Sequence, residues 1–286
     1  MIELPRQLVA EAVLRALQED LGAQGDVTSM AVIPEEQTAA AVIVARTDGV
    51  LAGIPVFKEV FSRVGARVRL GMADGDHVRK GRQVARAGGG LRAILAAERT
   101  ALNFLGRLSG VATRAAAYVE ALEGTGVIVR DTRKTTPGLR ALEKYAVAVG
   151  GAEPHRMGLF QGIFLKDNHV AAAGGVAAAV TRAREARPDL EVLVEVETPE
   201  QAEEAVAAGA HEVLLDNMSP EQLKECVARV GGRAKLEASG GITLENVREV
   251  AGTGVDSVSS GDITHGAPWL DFALEVLPDL PLPKED

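Results

Sequence analysis

The feature that most constrains the fold is a regular alternation of short apolar runs with Ala-rich amphipathic runs, which begins after Gly124. The apolar runs have the length of buried strands, and the amphipathic runs have the 3.6-residue period of helices. This rhythm predicts an α/β domain whose parallel sheet is closed, or nearly closed, into a barrel. The predicted strands are 127–129, 162–165, 192–196, 212–215, 234–237 and 256–259, and the predicted helices are 138–149, 176–186, 199–208, 220–230 and 244–251.

Polar residues recur at one place in these units, the carboxyl end of each strand. In βα barrels this edge carries the chemistry. The sequence therefore predicts a functional site there, formed by side chains from several strands. The residues concerned are the group around Arg133, then Lys166, Glu195, Glu197, Asp216, Ser239 and Gly261.

A cationic cluster lies between residues 131 and 169, where Arg and Lys outnumber Asp and Glu although the chain has a net charge of −9. Like charges held together repel unless an anion neutralises them. Arg133, Lys134, Arg156 and Lys166 lie beside Gly, Pro and Thr, so they do not form one face of a solvated helix. The cluster predicts a pocket for a ligand with several negative charges.

The histidines near this cluster are interpreted separately. His155 lies inside the cluster, which favours a functional role. It could act as a general acid or base, but it more easily donates a hydrogen bond to a carboxylate. His169 and His265 have no such support, and we assign them structural roles.

Two carboxylates at successive strand ends, Glu195 and Asp216, are candidates for binding Mg²⁺. Hard oxygen ligands of this kind suit a Mg²⁺ ion that is shared with substrate phosphates. The alternative is that they cap helices or pair with nearby Lys and Arg. Glu197 has the same side-chain parity as Glu195, and spacing does not separate the two.

The segments Ser239-Gly240-Gly241 and, one βα unit later, Ser260-Gly261 resemble a phosphate cradle. Glycine lets backbone N–H groups approach an anion closely, and two late loops often build the phosphate site of a barrel. The alternative is that these are ordinary turn glycines, and the pairing of the loops favours phosphate.

Two other functions remain open at this point. Lys166 at a strand end could form a Schiff base, as in a barrel aldolase or lyase. Residues 68–84 have a Gly-Asp-containing pattern of the biotin and lipoyl carrier modules, but Lys80 lies in the wrong part of it, which favours a structural turn. Arg99, in a helix outside the barrel, looks like a surface residue.

The remaining segments are predicted from local patterns. Gly110 is expected to end or kink the long helical pattern and to mark a domain boundary. The predicted helices are 5–21, 56–64, 91–108, 111–122 and 269–277, with a turn at 26–29, a strand at 38–46, short strands within 68–84 and a frayed end at 278–286.

Composition excludes several classes of protein. The acidic net charge argues against nucleic-acid and membrane-surface partners. No apolar run has the length of a membrane span, and no signal peptide is recognised, so we expect a cytoplasmic protein. The single cysteine, Cys226, excludes an internal disulfide and is interpreted as a buried small hydrophobe.

Taken together, these motifs resemble the quinolinate phosphoribosyltransferases, also called nicotinate-nucleotide pyrophosphorylases (carboxylating). The similarity runs nearly end to end. It is carried by Asp-Leu-Gly at 20–22, Gly-Asp-Val-Thr at 25–28, Asp-Gly-Val-Leu-Ala-Gly at 48–53, Glu-Arg-Thr-Ala-Leu-Asn at 98–103, the run 131–140, His-Arg-Met-Gly-Leu at 155–159, Lys-Asp-Asn-His at 166–169, Asp-Asn-Met at 216–218, Glu-Ala-Ser-Gly-Gly at 237–241 and Thr-His at 264–265.

The resemblance implies an N-terminal α/β sandwich domain (1–108, with 266–286 returning to it) and an incomplete parallel α/β barrel (109–265). It implies a homodimer, or a hexamer built from such dimers, in which Arg99 completes the neighbouring subunit's site. The implied reaction joins quinolinate to phosphoribosyl pyrophosphate and gives nicotinate mononucleotide, pyrophosphate and CO2 on the way to NAD.

The resemblance also implies roles for individual residues. Glu195 and Asp216 would hold Mg²⁺ and the ribose hydroxyls, and Lys134, Lys166, Glu195 and Asp216 are the implied catalytic residues. The implied substrate-binding residues are Arg99, Thr132, Arg133, Lys134, His155, Arg156, Lys166, Glu195, Asp216, Ser239, Gly240, Gly241, Ser260 and Gly261.

The chain departs from the family pattern at two positions. Many relatives have an acidic residue near position 161, where this chain has Gln161, and a Glu where it has Leu193. A related protein of unknown substrate, associated with molybdenum transport, shares much of the pattern. The complete set of Arg133, Lys134, His155 and Arg156 favours quinolinate over that alternative.

Overall fold

A computed structural model describes residues 4–277, which divide into two units. The first unit contains residues 4–114, 136–151 and 267–277, and the second contains residues 115–135 and 152–266. The division falls inside one long helix, whereas the sequence places a boundary at 108/109. The predicted frayed end at 278–286 lies outside the described residues.

The secondary structure follows the predicted alternation. The helices are α1 (Arg6–Leu21), α2 (Val27–Val32), α3 (Ile54–Arg63), α4 (Leu91–Ala121), α5 (Arg140–Val149), α6 (Asp167–Ala173), α7 (Val176–Ala186), α8 (Pro199–Ala207), α9 (Pro220–Val230) and α10 (Val247–Ala251). The strands are β1 (Thr38–Ala45), β2 (Gly49–Val50), β3 (Arg67–Leu70), β4 (His77–Val78), β5 (Gln83–Gly90), β6 (Ile128–Arg130), β7 (Ile163–Leu165), β8 (Val192–Val196), β9 (Glu212–Asp216), β10 (Lys235–Ser239), β11 (Ser257–Ser259) and β12 (Phe272–Leu277).

The first unit is built on an antiparallel sheet with the strand order β12-β1-β5-β3. Its core includes Ile43 of β1 and the two aromatic rings of α3, Phe57 and Phe61, which are fully buried with centroids 5.0 Å apart. Lys80 lies in the turn between β4 and β5, where its backbone N donates to Asp48 Oδ1 at 2.7 Å. This hydrogen bond ties the turn to Asp48, which agrees with a structural role for the segment.

The tail prediction was wrong, because residues 272–277 form a strand and not a helix. β12 pairs antiparallel with β1, from Ala40 opposite Leu277 to Ala45 opposite Phe272. The apolar spacing fits either periodicity, and the open edge of β1 decides between them by providing hydrogen-bond partners.

Gly110 does not end the helix, which also corrects the prediction: α4 is continuous over 31 residues. A Cβ atom at Gly110 would collide with Pro268 O, and one at Gly106 would lie 2.7 Å from Leu270 O. The absence of a side chain at both glycines therefore lets the segment 268–270 pack closely against α4 in the first unit.

The segment predicted as a turn at 26–29 is the start of a helix. Asp26 Oδ1 accepts a hydrogen bond from Ser29 N at 3.0 Å and caps α2. An Asx residue followed by small polar residues can begin a turn or a helix, and the cap geometry here continues into a helix.

The second unit contains a six-stranded parallel sheet in the order β6-β11-β10-β9-β8-β7. Within the described residues, the edge strands β6 and β7 do not pair with each other. Instead, Glu153 N donates to Val129 O at 2.8 Å and occupies the edge of β6. The predicted fold class, an α/β chain with an N-terminal sheet domain and an incomplete parallel barrel, is confirmed.

Candidate active site

The carboxyl ends of β8, β9 and β10 place three predicted site residues at one edge of the sheet. Asp216 ends β9 and pairs in register with Ser239, which ends β10. Glu195, on β8, pairs with Leu214 of β9. The Glu195 side chain is 15% exposed, whereas Glu197 lies beyond the strand and is exposed. The structure thus separates the two glutamates that parity left equivalent.

Three predicted site residues surround one aromatic side chain, Phe164 of β7. The His155 ring stacks on Phe164 with centroids 5.9 Å apart and an interplanar angle of 14°. Arg156 Cζ lies 4.9 Å from the Phe164 centroid, and Lys166 Nζ lies 4.8 Å from it. An aromatic face attracts cations, so Phe164 helps to hold like charges together. Sequence reasoning missed this residue, because it looks like any strand phenylalanine.

His155 is held by its own loop. Its backbone N donates to the buried Asp131 Oδ1 at 2.6 Å, and its Nδ1 accepts from Arg156 N at 2.8 Å. Its Nε2 lies 3.6 Å from Oε1 of the fully buried Glu237. Because Nδ1 accepts a hydrogen bond, Nε2 carries the proton of the neutral ring. The imidazole orientation is therefore fixed by groups that also fix the loop.

Arg133 and Arg156 are close enough to repel each other. Burial, followed by the charge of Arg133, lowers the pKa of Arg156. The Arg156 Nε atom is buried and has no hydrogen-bond acceptor within residues 4–277. Two neighbouring guanidinium groups in this setting are an arrangement that an anion stabilises.

A side chain shapes the turn that carries Arg133 and Lys134. Thr132 Oγ1 accepts a hydrogen bond from Lys134 N at 3.0 Å.

Beneath this cluster lies a charge network that the sequence did not reveal. Arg130 Nη1 donates to Glu212 Oε1 at 2.6 Å and to Glu237 Oε2 at 2.9 Å, and its Nε lies 3.7 Å from Glu153 Oε2. Burial alone would lower the pKa of Arg130, but its carboxylate partners outweigh burial and raise it. Arg130 is thus a structural cation, and it anchors the Glu237 carboxylate that faces His155.

Two positions in the glycine loops after β10 and β11 must be glycine, because neighbouring side chains lie very close to their backbone. Gly240 has a φ of 86°, and a Cβ atom there would collide with the Asn217 side chain. A Cβ atom at Gly261 would lie 2.8 Å from Lys134 Cδ and 2.9 Å from His265 Nε2. Gly261 therefore lets Lys134 approach the second glycine loop, which brings the cationic cluster and the proposed phosphate cradle together. His265 belongs to the same neighbourhood.

The two candidate metal ligands are both engaged by side-chain donors. Glu195 Oε2 accepts from Lys166 Nζ at 2.6 Å, and Asp216 Oδ2 accepts from Asn217 Nδ2 at 2.7 Å. No group of three or more His, Cys, Asp or Glu side chains encloses a metal position in the described chain. Two strand-end carboxylates fit Mg²⁺ that is held jointly with phosphates and water, and do not fit a resident caged ion.

The other predicted residues lie elsewhere. Arg99 is exposed on α4 in the first unit. His169 Nδ1 accepts from Lys166 N at 3.0 Å, which agrees with a structural role. Cys226 is fully buried, with its Sγ 3.6 Å from Met218 Sδ, as expected of a small hydrophobe.

The two departures from the family pattern both border a cavity of about 190 Å³ in the second unit. Gln161 Oε1 accepts from Met157 N at 2.6 Å and closes the loop that follows Arg156. The cavity wall contains Arg130, His155, Arg156, Gln161, Phe164 and Leu193. Gln161 and Leu193 are both uncharged members of the wall that His155 and Arg156 share.

Comparisons with known proteins agree on one family. Residues 26–109 match the quinolinate phosphoribosyl transferase N-terminal domain, and residues 111–275 match its C-terminal domain. The chain is 44% identical to a probable nicotinate-nucleotide pyrophosphorylase (carboxylating) from Bacillus subtilis, over 90% of each protein. It is 42% identical to the Mycobacterium leprae nicotinate-nucleotide pyrophosphorylase (carboxylating), over 93% of this chain and 96% of that protein. The crystal structure of NadC from Streptococcus pyogenes superposes with a TM-score of 0.92 at 41% identity, covering 97% of this chain and all of that one.

Proposed function

We propose, on the premise that the chain belongs to the quinolinate phosphoribosyltransferase family, that it transfers the phosphoribosyl group of phosphoribosyl pyrophosphate to quinolinate. The products are nicotinate mononucleotide, pyrophosphate and CO2, in the biosynthesis of NAD. The observation that carries the proposal is the grouping of His155, Arg156 and Lys166 around Phe164.

This grouping supports a flat aromatic dicarboxylate as the acceptor. Arg133 and Arg156 repel each other, and a carboxylate bound by either guanidinium relieves that repulsion. His155 adds a hydrogen-bond donor, and Phe164 adds an apolar ring face. A monocarboxylate such as nicotinate would leave part of the cationic set without a counter-charge, which disfavours it.

The proposed reaction needs no protein nucleophile. The pyridine nitrogen attacks the anomeric carbon as the bond from that carbon to pyrophosphate breaks, and the N-glycosidic bond forms. Lys134 and Lys166 supply positive charge for the leaving pyrophosphate. The ring nitrogen is then cationic and withdraws electrons, so the adjacent carboxylate leaves as CO2 and the ring carbon takes up a proton.

Mg²⁺ is part of the proposal. Glu195 and Asp216 would hold it, and it would supply further positive charge against the phosphates. The same two carboxylates would accept hydrogen bonds from the ribose hydroxyls. Their position at the ends of adjacent strands supports both roles.

We also propose a cytoplasmic homodimer, or a hexamer of such dimers, in which Arg99 completes the neighbouring subunit's site. Arg99 is exposed on α4, so its side chain is available to a neighbouring subunit. The helices between residues 4 and 277 include none with the length and apolar character to span a membrane. The acidic net charge of −9 supports the absence of nucleic-acid partners.

The test is to mix the purified protein with phosphoribosyl pyrophosphate, Mg²⁺ and either quinolinate or nicotinate, and to follow nicotinate mononucleotide. We expect product from quinolinate alone. Product from nicotinate would overturn the interpretation of the cationic pocket but keep the sugar-phosphate site. No product from either acid would favour a related transferase-like protein of different substrate.

The Schiff-base alternative is less well supported. Lys166 Nζ donates to a carboxylate at 2.6 Å and lies over an aromatic ring, which suits a charged ammonium group, whereas a Schiff base needs a neutral amine. Borohydride trapping of a carbonyl compound on Lys166 would reverse this preference.

A further inference from the structure

Tyr118, near the end of α4, is among the largest fully buried side chains in the described chain. Its hydroxyl donates to Asp262 Oδ2 at 2.8 Å. Asp262 lies in the short 3-10 helix Gly261–Ile263 that follows β11. A buried hydroxyl that reaches a loop carboxylate ties the helix to that loop.

The same hydroxyl also contacts the loop after β10, which contains Gly240 and Gly241. Tyr118 Oη lies 3.2 Å from Ile242 O and 3.4 Å from Ser260 Oγ. Ser260 Oγ in turn donates to Ile242 O at 2.7 Å and accepts from Asp262 N at 3.3 Å. The Tyr118 hydroxyl therefore contacts both the loop after β10 and the loop after β11.

The end of α4 is itself held in place. Arg248 Nη1, from α10, donates to Ala121 O at 2.8 Å. Asp262 is tightly confined as well, because a Cβ atom at Gly266 would collide with its Oδ1. The hydrogen bond to Ala121 and the close packing around Asp262 suit a side chain that supports the two loops.

We infer that Tyr118 is a positioning residue for the loops that bind the 5-phosphate of phosphoribosyl pyrophosphate, an inference that rests on the proposed function. These loops carry Ser239, Gly240 and Gly241 on one side and Gly261 on the other. Tyr118 sets their separation through Asp262 and does not touch the substrate. The chemistry of quinolinate binding belongs to other residues.

The test is Tyr118→Phe, which removes one hydroxyl and keeps the buried ring. The chain offers a matched control in Tyr145→Phe, because Tyr145 OH donates to Asp74 Oδ2 at 2.6 Å in the first unit. Both substitutions delete a tyrosine–aspartate hydrogen bond, and only the first lies beside the glycine loops.

For each variant we would measure KM and kcat for both substrates, the Kd of phosphoribosyl pyrophosphate by calorimetry, and Tm. Tyr118→Phe should raise KM and Kd for phosphoribosyl pyrophosphate roughly five- to tenfold, the loss expected for one hydrogen bond. Quinolinate KM should change less than about twofold in either variant.

The inference would be overturned if Tyr118→Phe and Tyr145→Phe had the same KM and Kd for phosphoribosyl pyrophosphate. It would also be overturned if Tyr118→Phe raised the KM for quinolinate as much as the KM for phosphoribosyl pyrophosphate. In those cases the wild-type protein still makes nicotinate mononucleotide, and the proposed function stands. A wild-type protein that does not bind phosphoribosyl pyrophosphate would overturn both.

Discussion

Lys166 Nζ donates a hydrogen bond to Glu195 Oε2 at 2.6 Å, across the adjacent parallel strands β7 and β8. The sequence assigned these residues to different tasks, Lys166 to anions and Glu195 to a metal and ribose. Their direct contact means that each holds the other's side chain in place. An anion bound by Lys166 and a cation bound by Glu195 would act on the same ion pair, so the two tasks are coupled.

Replacing Lys166 should therefore impair catalysis strongly. Lys166→Met keeps an unbranched side chain of similar length but removes the ammonium group that would stabilise charge on the leaving pyrophosphate. Loss of one such preorganised group typically lowers kcat about 10²- to 10³-fold, so we expect kcat/KM in the quinolinate assay to fall by about a hundredfold or more. Lys224→Met, at an exposed position of α9, is the control and should retain activity. Activity of Lys166→Met within twofold of Lys224→Met would contradict the role.

The arginines should determine quinolinate affinity. Arg133→Ala or Arg156→Ala should weaken quinolinate binding by tens of fold or more, which corresponds to about 2–5 kcal/mol. Arg156→Lys keeps the charge but loses the planar fork, so we expect an intermediate loss. Calorimetric titration with quinolinate measures all three, with Arg187→Ala in an exposed ion pair as the control. Near-normal affinity in both alanine variants is the result that would sink the assignment.

The buried ion pair between Arg107 and Glu143 should contribute strongly to the free energy of unfolding. Arg107 Nε and Nη2 donate to Glu143 Oε1 at 2.9 and 2.8 Å, and Thr136 N donates to Glu143 Oε2 at 3.0 Å. Glu143→Ala leaves the guanidinium buried without its carboxylate, which costs about 3–5 kcal/mol. Denaturant unfolding should show this loss.

The control for that measurement is an exposed pair of similar length. Arg63 Nε lies 2.6 Å from Glu59 Oε1 one helical turn away. Glu59→Ala should change the free energy of unfolding by less than about 1 kcal/mol. Comparable losses for Glu59→Ala and Glu143→Ala would show that burial is not the cause.

Gly110→Ala should destabilise the protein although alanine is the better helix former. Helix propensity alone would favour alanine by about 1 kcal/mol. The new Cβ atom would collide with Pro268 O, and overpacking typically costs about 1–3 kcal/mol. Thermal unfolding of Gly110→Ala and of Gly90→Ala, where a Cβ atom meets open space, gives the comparison. A stabilised Gly110→Ala variant would mean that the segment 268–270 moves away freely.

Cys226 should react slowly with alkylating reagents in the folded protein. Burial, followed by the charge of Glu225, raises the pKa of the Cys226 thiol to about 11. Since the thiolate is the nucleophile, labelling should be slow at pH 8, rise as pH approaches that value, and become fast in denaturant. Mass spectrometry after iodoacetamide treatment measures the rate, with N-acetylcysteine as the reference. Rapid labelling of native protein at neutral pH would disprove the burial.

The parallel sheet of the second unit was predictable because its signal is local. Short apolar runs of strand length that alternate with amphipathic helical runs favour the strands of a parallel sheet. The short helix Asp167–Ala173 was missed, since it follows β7 directly and begins with Asp, Asn and His, which are weak helix formers. Its hydrogen bonds, and not its composition, define it.

Long-range relationships explain two further differences from the prediction. Residues 272–277 have a pattern that fits a helix or a strand, and only the edge of β1 decides. The partners of Arg130 lie 82 and 107 residues away in the sequence. A sequence shows that such residues are charged, but it does not show which of them meet.

The return of β12 to the first sheet has a consequence for biosynthesis. A ribosome makes β1 early and β12 only after every strand of the second unit has emerged. Until then β1, with the sequence Thr-Ala-Ala-Ala-Val-Ile-Val-Ala, has an open hydrogen-bonding edge on an apolar strand, the kind of surface that recruits other chains. That edge therefore stays available to strands of other chains until the last strand of the sheet has been made.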